Sequence, residues 1–261
     1  MSFLDRLADL WARFLAWLVG LRMDAAGSKK LPIADRDTLV VLLDEGRPGQ
    51  RWLAAEALGE SDPGRNGVDA LAAALDSDDP LLRNEAGAAL AQIGGRSARG
   101  VLIESAASGK PAIQAAVADA LGHYPADDTV AAALEQLLES PDALVRQSAA
   151  EALARTGWPR ERRSTDLRPA PTSRLLTLLA EDTDPMVRRA AALALGRLGD
   201  PATREALHAR QEDPDEDWRV REAAALAASR LPTVTPATLV VETPPESPEV
   251  ESQAPPNQPE E

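Results

Sequence analysis

The chain has 261 residues, with 42 acidic and 28 basic side chains and a net charge of -14. With 44% hydrophobic but only 3% aromatic residues, its core must be built from Ala, Leu and Val, which favours an all-α protein over a β-sandwich or barrel. Cysteine is absent and the histidines are two, His123 and His208, which excludes disulfides, thiolate nucleophiles and Cys-type zinc or iron–sulfur sites and argues against a His-rich metal centre.

Residues 1–22 read as an amphipathic helix. Asp5, Arg6, Asp9 and Arg13 share one side; Phe3, Leu7, Trp11, Phe14, Trp17 and Leu18 share the other. That apolar arc is broader than a single packing surface needs. It could cap the solenoid described below, or oligomerise, or lie in a membrane interface with Trp11 and Trp17 at headgroup depth. A signal peptide is opposed by Asp5 and Asp9, which occupy what should be a basic region. The expectation leans to membrane or partner contact through Phe3, Leu7, Trp11, Phe14, Trp17 and Leu18. No run of about 18 uncharged apolar residues occurs, so no ordinary spanning helix is expected. Residues 23–36 read as a linker.

Residues 37–231 form a repeat. The segments 71–95, 134–157 and 178–200 align in register, and three weaker copies accompany them. One Arg or Gln follows the turn of each unit, at 51, 83, 114, 146, 188 and 221. The intervals are 32, 31, 32, 42 and 33, and the long one holds an insertion, residues 158–171. Each unit reads as helix, Asp/Pro turn, helix, Gly-containing turn. Asp79 can accept from the first N–H groups of the next helix, and Pro80 suits its first turn. Gly94, Gly157 and Gly199 permit a left-handed stop. Ala86, Ala89, Ala149, Ala152, Ala191 and Ala194 allow close helix approach. One hairpin cannot bury two apolar faces alone, whereas a stack of hairpins can. The last 30 residues, 232–261, contain 8 Pro and 6 Glu with no Lys or Arg; they are expected to be disordered.

The units resemble HEAT repeats, in the short bacterial form also found in phycobilisome lyases. The resemblance is carried by D-x-D-P-x-V-R-x-x-A-A-x-A-L-G-x-L-G-D across Asp182–Asp200 and by its echoes. It implies a right-handed α-solenoid of about six hairpins, with an Asp–Arg ladder between repeats involving Arg51, Arg83, Arg146, Arg188 and Arg221. Most members of that family are scaffolds; others are bilin lyases, DNA glycosylases or deoxyhypusine hydroxylases. The last use His-Glu pairs as iron ligands, and here the histidines stand as His123-Tyr124 and His208-Ala209.

Positions one, five and nine after each anchor share one side of every second helix. Down the stack this row includes Trp52, Glu56 and Glu60, then Asp119, then Glu151 and Arg155, then Arg189, Leu193 and Arg197, then Leu226 and Arg230. Acidic residues lie toward the front and arginines toward the rear, a polarity that can orient a partner. The expected partner-binding set is Trp52, Glu56, Asp119, Glu151, Arg155, Arg189, Arg197 and Arg230, with Trp52 either the chief anchor or a cap on the first repeat. The insertion gathers Arg160, Arg162, Arg163 and Arg168 near Trp158, but the acidic repeat region argues against nucleic acid. No phosphate loop, nucleophile elbow or metal-ligand spacing is present. The expected function is a non-enzymatic cytoplasmic scaffold, free of cofactor and metal, that binds a protein partner on the concave face. A bilin-lyase-like enzyme or auxiliary subunit, and a DNA-repair protein, are the alternatives.

Overall fold

The computed structural model describes residues 35–125, 127–156 and 171–232. The amphipathic segment with Phe3, Leu7, Trp11, Phe14, Trp17 and Leu18, nearly all of the insertion, and the tail from residue 233 lie outside the described residues.

The described residues form twelve α-helices and no strand. In chain order they are α1 (Arg36–Glu45), α2 (Pro48–Glu60), α3 (Gly64–Ala74), α4 (Pro80–Ile93), α5 (Gly95–Ala106), α6 (Pro111–Leu121), α7 (Asp128–Leu137), α8 (Ala143–Thr156), α9 (Thr172–Glu181), α10 (Pro185–Leu198), α11 (Arg204–Glu212) and α12 (Trp218–Arg230). Consecutive pairs make six hairpins. Each even helix packs against the even helices before and after it, whereas the odd helices touch their counterparts far less. The stack therefore has a tight inner layer of even helices and a looser outer layer of odd ones. Tighter packing on one side bends such a stack toward that side.

The Asp/Pro turns start the inner helices as their chemistry requires. Asp79 accepts from Leu81 N–H at 3.0 Å, Asp142 from Leu144 at 2.9 Å, Asp184 from Met186 at 2.7 Å and Asp217 from Arg219 at 2.8 Å. Each bond satisfies a donor left open at a helix N-terminus. Pro80, Pro111 and Pro185 fill the first helical position. At the other end Gly199 adopts φ 67°, ψ 29°, the left-handed stop that glycine makes without steric cost.

The anchor residue closes each of the first five hairpins. Arg51 donates to the Leu43 carbonyl at 2.9 Å, Arg83 to Ser77 at 2.9 Å, Gln114 to Ala106 at 3.0 Å, Arg146 to Ser140 at 2.8 Å and Arg188 to Asp182 at 2.7 Å. Each bond ties the inner helix to a carbonyl that the preceding helix or turn leaves open. The turns share a second device. The side chain six residues before the anchor accepts the backbone N–H two residues on: Ser77 from Asp79, Ser108 from Lys110, Ser140 from Asp142 and Asp182 from Asp184.

Between inner helices the contact runs on the smallest residues. Ala86, Ala89, Ala149, Ala152, Ala191 and Ala194 are all buried. Gly59 lies against Ala89, Gly122 against Ala152 and Gly196 against Ala227, so closely that an added Cβ at Gly196 would stand 2.6 Å from the Ala227 Cα. Backbone cannot yield there as a flexible side chain would. Gly196→Ala is expected to cost about 2 kcal/mol. Gly100, inside α5 with open space around its Cβ direction, should respond oppositely, Gly100→Ala adding about 1 kcal/mol through helix propensity. Urea unfolding of the two variants measures both; equal shifts would refute the close-approach account.

Candidate functional site

Five of the eight residues expected to bind a partner converge. Glu151, Arg155, Arg189, Arg197 and Arg230 line one groove of about 350 Å³ across α8, α10 and α12, with Ala154, Ala190, Leu193 and Leu226. They meet because helical spacing puts positions one, five and nine of neighbouring inner helices along one side. Leu193 and Leu226 belong to the same row but were not among the expected binding residues; Leu226 is 44% exposed. The signal that marks them is a leucine at a position where the other helices carry charge or alanine.

The remaining three residues stand elsewhere. Trp52 and Glu56 are exposed on α2, at the far end of the stack. Glu56 faces Glu85 of α4; burial, then this neighbouring charge, pushes the Glu85 carboxyl up from its ordinary value. Asp119 of α6 accepts from Arg155 at 2.5 Å. The acidic and basic halves of the row therefore join in an ion pair at mid-stack instead of standing apart as separate free surfaces.

The groove arginines differ in what they already bind. Arg155 is engaged by Asp119, and Arg197 reaches the Ala154 carbonyl at the limiting distance of 3.5 Å. Arg189 and Arg230 have no side-chain partner among the described residues. Glu151 accepts from Gln147 at 3.0 Å. Four guanidinium groups against one carboxylate make this groove cationic within an acidic chain. A larger groove of about 430 Å³ lies between α1 and α3. Its cation, Arg51, holds the Leu43 carbonyl through Nε, and the carboxylates of Asp44 and Asp69 line it as well.

Ion pairs between repeats hold the three groove helices. Arg146 makes a two-point bond to Asp182, Nε to Oδ2 at 2.7 Å and Nη2 to Oδ1 at 2.9 Å. Arg188 binds Glu216 in the same manner, at 2.9 and 2.5 Å. The two acids are nearly sealed, with side chains 3% and 2% exposed. For both, burial pushes the carboxyl pKa up; the hydrogen bond from the arginine, a backbone N–H and nearby guanidinium charge outweigh it, and the net value lies below the ordinary range. The bonds to Asp182 and Glu216 in turn raise Arg146 and Arg188 above their ordinary values.

The ladder that the family resemblance implied is therefore partial. Arg83 leaves a buried Nε without a partner. The next repeat carries Ser108 where the fifth hairpin carries Asp182, so no carboxylate stands opposite. Lys110 pairs with Asp76 across the same step instead.

Twelve helices in two layers define an α-solenoid repeat protein. The particular family is that of HEAT repeats: its model matches residues 36–110, 101–167 and 172–250, and the chain belongs to it. Among solved structures, a designed armadillo repeat protein in complex with the peptide (KR)4 is 16% identical, with 76% of this chain and 100% of that one covered and a TM-score of 0.50. An engineered protein is 26% identical over 76% and 96% of the two chains, with a TM-score of 0.49. The complex of CpcE and CpcF of phycocyanin lyase from Nostoc sp. is 21% identical over 77% and 96%, with a TM-score of 0.36. These are likenesses of fold. No match is found among curated proteins. Among the described residues, no helix is long and apolar enough to cross a membrane.

Two outcomes test the ladder. Ser108→Asp should keep the turn bond to Lys110 and give Arg83 a carboxylate. The expected coupling between Ser108→Asp and Arg83→Ala is about 1 kcal/mol in a double-mutant cycle; zero coupling refutes the account of the missing rung. The second outcome concerns acid. Asp182 and Glu216 have folded pKa values below their unfolded ones. Their stabilisation is complete above the unfolded values of about 4 and is lost as pH falls through the depressed folded values. Glu216→Gln should therefore flatten the loss of stability below about pH 4, read by urea unfolding at stepped pH; an unchanged slope contradicts the linkage.

Proposed function

We propose that this chain is a non-enzymatic scaffold that takes an extended, acidic segment of a protein partner in the groove of α8, α10 and α12. A HEAT-repeat solenoid is a fold of protein-interaction scaffolds, and the groove supplies the selectivity. The observation that carries the reading is the pair of guanidinium groups, Arg189 and Arg230, without a side-chain partner among the described residues and beside the exposed Leu226. Arginine binds carboxylates through two parallel hydrogen bonds. A neighbouring apolar floor rewards a partner that alternates acid with aliphatic side chains. The ion pairs Arg146–Asp182 and Arg188–Glu216 hold the three helices in place before any partner arrives, which lowers the ordering cost of binding.

The net charge of -14 disfavours long polyanions, whose binding needs a continuous basic track. A short acidic segment needs only the local groove. The test is fluorescence anisotropy of a labelled peptide alternating Glu and Leu, titrated with the full chain. Arg189→Glu combined with Arg230→Glu should weaken binding at least tenfold, about 1.4 kcal/mol, with an unchanged circular dichroism spectrum. Affinity equal to that of the unaltered chain, or stronger binding of a Lys/Leu peptide by the unaltered chain, overturns the reading.

A further inference from the structure

A cationic groove sits beside a segment of opposite charge in the same chain. Helix α12 ends at Arg230, itself a groove residue. The segment that follows, residues 232–261, carries 6 Glu and no Lys or Arg. Within it Leu239, Val240 and Val241 form an aliphatic run, directly followed by Glu242, Glu246, Glu249 and Glu251.

We propose that residues 239–251 are the resident occupant of the groove between α8, α10 and α12, and that an acidic partner binds by displacing them. The inference rests on the reading of this groove as a peptide surface. Chemistry matches on both counts: aliphatic side chains for Leu193 and Leu226, carboxylates for Arg189, Arg197 and Arg230.

Reach is sufficient. The seven steps from Pro232 to Leu239 span up to about 23 Å when extended. Neighbouring inner helices lie about 8–10 Å apart, so α8 is about 16–20 Å from α12. Attachment also supplies concentration, since a short linker holds its own ligand at an effective millimolar level. Pro244, Pro245 and Pro248 favour an extended backbone and reduce the entropy lost on docking. The larger groove between α1 and α3 is a poor competitor. It is lined by Asp44 and Asp69, which repel the tail's carboxylates, and its Arg51 is already engaged.

The chain lacks cysteine, so Ser247→Cys provides a unique attachment point for a nitroxide on the full-length protein. Relaxation enhancement of backbone amides then reads the tail's position. At low salt the broadening should centre on Leu193 and Leu226. It should exceed that on α2 and α4 by about fivefold, and fade near 0.5 M salt as the charges are screened. It should also vanish with Arg189→Glu and Arg230→Glu together. Even broadening, broadening centred on Val40 and Leu43, or transfer to an unlabelled second copy in a mixed sample would each overturn the proposal.

A second arm uses the labelled Glu/Leu peptide. The full chain carrying Glu242→Gln, Glu246→Gln and Glu249→Gln should bind it about fivefold more tightly than the unaltered chain, because the internal competitor is weakened. Equal, measurable binding by both chains sinks the tail proposal and leaves the groove reading standing. Absence of binding by both sinks the groove reading, and the tail proposal with it.

Discussion

A long side chain reaching back to an open carbonyl sets the geometry of every inner helix from α2 to α10. In five successive hairpins, Arg or Gln near the start of the inner helix donates to the end of the preceding helix or turn. This bond satisfies an acceptor that would otherwise be lost in a crowded turn. It also fixes how far each inner helix is rotated about its axis. Rotation decides which residues face the next repeat and which face solvent. The glycine and alanine contacts between inner helices tolerate no other rotation, because a larger side chain brought to that interface would collide with backbone. The row of Glu151, Arg189, Leu193, Leu226 and Arg230 is a consequence: these residues align only because their helices share one setting.

The inter-repeat ion pairs act at the next level. Asp182 and Glu216 are buried carboxylates, and a buried carboxylate without a partner costs several kcal/mol. Each receives at least two hydrogen bonds from an arginine of the preceding repeat and one from a backbone N–H. Burial penalises breaking these pairs more than it rewards forming them, so they act chiefly as constraints on position. They constrain the three hairpins whose inner helices build the groove. The front of the stack has no equivalent rung at Arg83.

The architecture was legible in the sequence because its signals repeat. A lone Asp-Pro or a lone Gly marks a turn weakly; such turn signals returning at intervals of 31 to 33 residues, and once 42, mark a stack. The inner face was legible too, since the interval between anchors, added to helical spacing, places residues across repeats. Pairing was less legible. Asp119 and Arg155 are 36 residues apart, and nothing local to either says that they meet. The incomplete ladder is hidden for a related reason. Arg83 looks like Arg146 and Arg188 in its own hairpin, while its partner position lies in the next one, where Ser108 replaces the acid. Register alone locates the groove's arginines, whereas its leucines are ambiguous in sequence, because an aliphatic residue in a helix usually belongs to the core.

The unequal rungs make the solenoid a spring that is stiffer toward its rear than toward its front. A stack bound evenly along its length bends evenly. Here the coils from α8 to α12 are clamped by two-point ion pairs, whereas the step that joins Arg83 to the turn at Ser108 is crossed by the exposed Lys110–Asp76 pair and by one buried hydrogen bond, from the Tyr124 hydroxyl to the Leu90 carbonyl at 2.9 Å. Flexing is then easier toward the front of the stack. A partner long enough to touch both the end bearing Trp52 and the end bearing the groove would then set the pitch of the whole molecule, and a short one would leave the front free to vary.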